Sequence, residues 1–209
     1  MDATHSKSVY AYEQIRLALR SGTYTPGQRL DPTTLAKKFH ISSTPVRFAL
    51  YRLVGEALIV DHARDGLYVP LLTEVDMRDL YDWMESLLMM ACDKGPAPTA
   101  RKTESLQPGS TDADLIGLAW QLFDSIASVT ARTSLHRAVR LANDRLAPIR
   151  WATQELVEDG LEELSTLNRH WQAHDMPALK AALHDYHERR KRLVPCIVAL
   201  LNERSDYRH

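Results

Sequence analysis

Residues 30–53 read LDPTTLAKKFHISSTPVRFALYRL, and this stretch decides the fold. Over Pro32–Phe39, Leu35, Ala36 and Phe39 fall on one face of a short helix. Over Thr44–Ala57, Val46, Leu50 and Leu53 do the same for a second helix. A polar turn separates them. Thr44 is the expected N-cap and Pro45 the first helical residue, because the fixed φ of proline suits that position. Two short amphipathic helices joined in this way make a helix-turn-helix, whose second helix is built to enter the major groove of DNA.

Working outward, SVYAYEQIRLALRS (residues 8–21) is predicted to be a first helix, with Tyr12, Ile15 and Leu19 inward and Gly22 just past its end. Residues 24–30, YTPGQRL, read as a turn built on Pro26-Gly27. On the C-terminal side the period changes. Leu58–Val60 and Leu67–Val69 are short β-prone runs around DHARDG, a two-stranded hairpin. Three helices and a hairpin make a winged helix-turn-helix over residues 1–72. Pro70–Thr73 is the expected linker. A long helix starts at Glu74 and runs to Lys94. Residues 95–111 are rich in Pro, Gly, Ser and Thr and read as a mobile loop. Helical segments follow near 112–130, 132–158, 160–173 and 176–203. Residues 73–209 are thus expected to be an all-helical bundle, and the chain as a whole mainly α.

The formal net charge of −1 hides an asymmetry. Residues 1–72 carry nine Lys/Arg against six Asp/Glu, and the rest of the chain 17 against 21. A basic front and an acidic back suit a polyanion reader joined to a domain that does not touch the polyanion. The two cysteines, Cys92 and Cys196, lack CxxC spacing and read as buried thiols of a reducing compartment. There is no apolar signal core at the start and no apolar run of roughly 20 residues, so a cytoplasmic protein without a membrane partner is expected. No nucleophile motif, glycine-rich phosphate loop or pair of carboxylates placed for catalysis is present, so the chain does not read as an enzyme.

On the second helix of the motif, Ser43, Thr44, Arg47 and Tyr51 project from the turns that reach base edges. Arg47 is the prime candidate, because a guanidinium donates two hydrogen bonds to guanine O6 and N7. Its alternative is an exposed arginine paired with a nearby acid. Thr33 and Thr34, opening the first helix, suit a phosphate. His62 and Arg64 flank the hairpin turn and suit the minor-groove side, with a solvated tip as the alternative. Lys37 and Lys38 read as a solvated face that adds non-specific phosphate attraction.

The run PGQRL, LAKKFHIS, STPVRFALYRL, EALI and DGLYV, in that order, resembles the GntR family of bacterial transcription regulators over roughly residues 8–70. The resemblance implies a homodimer that binds a short palindromic operator in double-stranded DNA and responds to a small molecule, with repression as the expected sign. Ser43 stands where the family usually has Arg, Phe48 where it has Glu, and Ala57 where it has Gly. Losing that arginine removes a contact worth about 1–3 kcal/mol and shifts more of the base reading to Arg47.

DLYDWMESLLMMA, LFDSIA and ELSTLNRHWQAHDMPALKAALHDYH resemble the all-helical effector domain, FCD, of the FadR-type branch. That resemblance implies a divalent metal held by one Asp and three His. Those positions fall on Trp120, Asp124, Leu164 and Tyr186, so the metal site is expected to be lost and no cofactor retained. His170 with His174, and His184 with His187, have spacings that would let each pair share a helix face, though solvent-exposed histidines are the simpler reading. An arginine that clamps a carboxylate in the family falls on Met84. With Trp83 and Trp120 beside it, an effector site using Met84, Trp120, Asp124 and Tyr186 is expected to take an aromatic or weakly charged molecule, unless these side chains merely pack a core. The rival expectation is a regulator with a degenerate effector domain, acting constitutively or through protein partners.

Overall fold

A computed structural model describes residues 3–63, 65–95 and 112–206. Residues 96–111 of the expected mobile loop, and Arg64, lie outside the described residues. The fold is mainly helical, with a two-stranded antiparallel hairpin after the third helix. Two compact units emerge. The first comprises residues 1–71, 147–152 and 201–209, and the second residues 72–146 and 153–200.

In the first unit, α1 (Ala3–Arg20), α2 (Pro32–Phe39) and α3 (Ser43–Gly55) precede β1 (Val60–His62) and β2 (Gly66–Tyr68). Ile15, Val46, Leu50 and Leu53 have no exposed surface and form the centre of the core. Each contributes about 1.5–3 kcal/mol by leaving water. α1 and α3 are further joined by Tyr12, whose hydroxyl donates to Glu56 at 2.8 Å while the Arg52 guanidinium lies 3.7 Å over its ring. Burial, followed by the bond to Glu56, pushes the Tyr12 phenol up to about 12.

Several helix ends in this unit have an identifiable cause. At Gly22 (φ +72°) the chain turns left-handed. The Thr23 N–H then reaches the Ala18 carbonyl and the Gly22 N–H the Leu19 carbonyl, which satisfies two terminal oxygens. The Trp151 indole N–H donates to the Arg20 carbonyl at 2.8 Å, and its ring leaves no room for a Cβ at Gly22. α2 begins with Asp31, which accepts the Thr34 N–H at 2.6 Å, and has Pro32 at its first turn. α3 starts at Ser43, after Ser42, so the expected cap at Thr44 is corrected. Proline is tolerated at the third position as well as the first, because first-turn N–H groups have no intrahelical acceptor.

α3 ends at Gly55, two residues short of the expected Ala57, which instead is left-handed at φ +55°, with the Leu58 N–H bonded to the Leu53 carbonyl at 3.0 Å. An alanine there carries strain of roughly 1–2 kcal/mol that glycine avoids. Ala57→Gly is therefore expected to stabilise the chain by about 1 kcal/mol in a denaturant titration. An unchanged or lower midpoint would contradict this account of the cap.

The same cap moves the wing. Because the Leu58 N–H is committed to α3, pairing begins only at Val60, and the strands are 60–62 and 66–68 rather than 58–60 and 67–69. Leu58 and Ile59 are instead buried in the core. The segment read only as a turn at 24–30 also supplies a third, short edge. Leu30 N–H donates to the Leu67 carbonyl at 2.7 Å and Val69 N–H to the Gln28 carbonyl at 2.9 Å, with Arg29 bridged to Tyr68.

In the second unit, α4 (Glu74–Lys94), α5 (Asp112–Ser128), α6 (Thr133–Ala152), a 3-10 turn (Gln154–Leu156), α7 (Gly160–Gln172) and α8 (Met176–Asp206) follow in order. The last turns of α6 and α8 belong to the first unit. Thr73 and Asp76 cap α4 reciprocally: Asp76 N–H donates to the Thr73 hydroxyl at 3.2 Å, and Thr73 N–H to the Asp76 carboxylate at 3.4 Å. α5 packs on both α4 and α7. The helix expected at 132–158 ends at Ala152, where the Arg204 side chain takes the terminal carbonyl and Thr153 leaves the helical region. α6 and α8 each contain a proline, Pro148 and Pro195.

Candidate nucleic-acid interface and effector positions

α3 shows one face to the core and the opposite face to solvent. Val46, Ala49, Leu50 and Leu53 are buried, whereas Thr44, Arg47, Phe48 and Tyr51 are exposed at i, i+3, i+4 and i+7. This spacing makes a single outward stripe. Ser43, at the helix start, is half-buried. Arg47 makes no ion pair among the described residues, so its guanidinium is not held by a neighbouring acid. Arg52, one turn on, is committed to Tyr12 and to Glu56 at 3.4 Å and does not join the stripe.

Thr33 and Thr34 are both exposed at the start of α2. The Thr34 hydroxyl donates to Asp31 at 2.8 Å. Bonds from the Thr34 N–H, then from its hydroxyl, hold the Asp31 carboxyl below the usual carboxylate range. A phosphate arriving at this helix end meets that negative charge, which leaves Thr33 the better-placed donor of the two. His62 is exposed on β1 and stands edge-on to Tyr68 at 5.4 Å. Arg64, its partner in the sequence reading, lies outside the described residues. Lys37 is exposed, but Lys38 is not simply solvated: its ammonium donates to the Tyr24 hydroxyl at 3.3 Å. Sequence reasoning missed Arg29, which lies across the wing with its guanidinium against Gly66. The polar Gln28-Arg29 pair ahead of the buried Leu30 was the available signal of a strand edge.

Among the described residues, the four effector candidates do not line one common cavity. Met84 is fully buried in α4. Trp120 is buried, its indole N–H donating to the buried Asp144 at 2.8 Å, while Asn143 donates to the Trp120 carbonyl at 2.9 Å. Asp124 is half-buried and takes His136 at 2.7 Å and Arg140 at 3.5 Å. Tyr186 is buried edge-on against Phe123 at 5.4 Å. Tyr186 alone of the four lines a cavity of about 300 Å³ between α7 and α8, with Glu163, Asp185 and Arg189 among its walls. Trp83, by contrast, is 49% exposed and does not line that cavity.

As a donor set for a divalent ion, Trp120, Asp124, Leu164 and Tyr186 do not fit. One carboxylate, already bonded to His136 and Arg140, stands with an indole, an alkyl chain and a phenol. The histidine pairs do not form sites either. His174 lies beyond α7 at φ +56°, edge-on to Trp171, so it does not share a helical face with His170. His187 is fully buried with its Nδ1 on the Leu183 carbonyl, whereas His184 is exposed. The reading of solvent-exposed histidines is thereby corrected for His187. Cys92 is buried, and that burial pushes its thiol up to about 11; Cys196, expected to be buried, is exposed on α8.

Glu85, His184 and Glu188 bring three ligand atoms together, but a cation is already among them. The Lys191 ammonium lies 3.3 Å from Glu85, 2.5 Å from Glu188 and 2.6 Å from Asp82. Burial opposes its charge, but these three carboxylates outweigh burial and hold it above the usual lysine range. The hydrogen bond from His184 to Glu85 raises the imidazole above its ordinary 6.5. Its stabilising contribution is therefore present at low pH and lost as pH rises through that raised value. A proton NMR titration is expected to place His184 above 6.5, and Glu85→Gln to lower it, with Glu188 and Asp185 still favouring the charged form. An unshifted midpoint in the native chain would remove the pair.

Residues 7–69 match the family described as "Bacterial regulatory proteins, gntR family". Over 70 residues the chain is 34% identical to the uncharacterized HTH-type transcriptional regulator YdhC of Bacillus subtilis (strain 168), covering 34% of this chain and 31% of that protein. Over 138 residues it is 24% identical to the Nta operon transcriptional regulator of Aminobacter aminovorans, covering 61% of this chain and 66% of that one. The chain thus spans less than two thirds of either relative's length. A solved structure from Rhodococcus sp. RHA1, described as a transcriptional regulator GntR by assignment, superposes with a TM-score of 0.71 at 18% identity, over 90% of this chain and 97% of that one, and so shares its fold. Residues 7–69 are accordingly a gntR-type winged helix-turn-helix. The family and these relatives are transcriptional regulators, not enzymes.

Proposed function

We propose that this chain, whose residues 7–69 are a gntR-type winged helix-turn-helix, is a sequence-specific DNA-binding transcriptional regulator. The outward stripe of Thr44, Arg47, Phe48 and Tyr51 on α3 carries this reading. It presents one unpaired guanidinium at the height where a recognition helix meets base edges. Thr33, Ser43, His62 and Arg64 serve as flanking contacts that position the helix through phosphates and the minor-groove side.

The helical bundle is read as an FCD-type effector and dimerisation domain, and the active species as a homodimer on a short palindrome, acting as a repressor. The superposition on a GntR regulator over nearly the whole chain supports a shared arrangement of helices. An effector changes operator binding only by favouring one arrangement of the two winged domains over another. Its place is read at the core around Tyr186 and Asp124, without a resident metal, and its character as aromatic or weakly charged. A second reading has its own support: Met84 and Trp120 are closed in packing, which favours a degenerate effector domain that acts constitutively or through protein partners.

Selection of bound fragments from random double-stranded DNA, with the full chain, tests the reading. The expected product is an inverted repeat, with half-sites about one helical turn apart. Enrichment of no sequence would overturn it. Repeating the selected binding with metabolite pools separates the two versions: a change in affinity supports the effector-responsive one, and none supports the second.

A further inference from the structure

We infer that Phe48 is a specificity-determining residue that reads the C5-methyl group of a thymine in the major groove, one base pair from the guanine read by Arg47. The inference rests on the regulator reading above. Phe48 sits in mid-α3 at 63% exposure, among the most exposed large apolar side chains of the described residues. The core needs nothing from it, since Val46, Ala49, Leu50 and Leu53 fill the opposite face. It lies on the same outward stripe as Thr44, Arg47 and Tyr51.

The chemistry narrows what this ring meets. A phenyl group neither donates nor accepts a conventional hydrogen bond, so it does not hold a phosphate or the polar edge of a base. The thymine methyl is the prominent apolar group in the major groove, and aromatic and small apolar side chains contact it. A cytosine in its place presents an amino donor that Phe48 leaves unsatisfied, so the ring selects against it as well. Arg47 and Phe48 are consecutive on the exposed side of α3, and their side chains diverge by about 100° around the helix axis, so the two fan out over neighbouring base pairs rather than converging on one. The basic balance of residues 1–72, nine Lys/Arg against six Asp/Glu, suits a polyanion as the partner of this unit, and Arg47 beside Phe48 puts a cation on the stripe itself, which an apolar protein surface would not match.

The test uses the full chain and the sequence selected from random DNA. Each thymine of a half-site is replaced in turn by deoxyuracil, which removes only the methyl. Affinities are measured by fluorescence anisotropy for the native chain and for Phe48→Ala. One thymine, adjacent to the guanine whose loss mimics Arg47→Ala, is expected to weaken native binding about fourfold when demethylated. Phe48→Ala is expected to bind the thymine and deoxyuracil forms equally. Its side chain is exposed, so the substitution leaves the fold intact, which circular dichroism verifies. Uniform indifference to deoxyuracil in the native chain, or equal sensitivity in Phe48→Ala, overturns the inference while leaving the regulator reading standing. Failure to enrich any sequence overturns the regulator reading, and this inference with it.

Discussion

Arg47→Ala is expected to weaken binding to the selected operator by about 1–3 kcal/mol per half-site, roughly five- to 150-fold, while binding to random DNA falls much less. The difference between the two losses is the informative quantity. A guanidinium that donates to guanine O6 and N7 is worth something only where a guanine stands. One that rests on a phosphate is worth the same on every sequence. The geometry favours the first role, because Arg47 is exposed on the outward face of α3 and is bound by no carboxylate among the described residues. Arg52, on the same helix, gives the internal contrast. Its guanidinium is stacked on Tyr12 and paired to Glu56, so Arg52→Ala is a stability change rather than a loss of base reading. Equal losses for Arg47→Ala on operator and random DNA would assign Arg47 to the backbone. Arg47→Lys separates the two roles further, since it keeps the charge and loses the fork that matches guanine.

Phe123→Ala is expected to destabilise the helical unit by about 3–5 kcal/mol, the usual result of emptying a large aromatic site in a closed core. Phe123 has no exposed surface. It meets Tyr186 edge-on at 5.4 Å and His187 at 6.1 Å, tying α5 to α8. Thermal unfolding followed by circular dichroism is the measurement. A drop of roughly 6–20 °C is expected for a chain of this size. A change of only a degree or two would mean that the centre of this unit relaxes freely around Tyr186. Tyr186 would then be better described as lining an adaptable pocket than as a packed core residue.

The winged domain was legible in the sequence because its signals are local. Apolar residues at helical spacing marked α1, α2 and α3, and the DHARDG turn marked the hairpin. What escaped was long-range. The pairing of residues 28–30 with the wing joins segments nearly forty positions apart, and no local period announces it. The start of the hairpin was misplaced because Leu58 and Ile59 look like strand residues, although the left-handed stop at Ala57 commits the Leu58 N–H to α3. In the helical unit the helices were legible but their partners were not. His184 and His187 are three residues apart, yet one is exposed against Glu85 and the other is sealed in the core. That difference depends on which helices pack against α8. Likewise Trp120 looked like a pocket wall, and Asp144, which accepts its N–H, is 24 positions away with no motif to point to it.

The candidate site was legible in part for the same reason. Thr44, Arg47 and Tyr51 follow from the register of α3 alone, and that register is fixed by Val46, Leu50 and Leu53. Phe48 stands on the same face but carries an apolar side chain, and apolar residues are ordinarily assigned to the core. Only its exposure moves it to the interface.

The central claim, sequence-specific DNA binding through α3, is tested most directly by one ratio. The affinity of the full chain for its selected sequence is divided by its affinity for a scrambled duplex of equal length and composition, at physiological salt. The account predicts a ratio on the order of 10³ or more. A ratio near one, with both affinities falling together as salt rises, would show that the basic unit attracts any polyanion and that α3 reads no sequence.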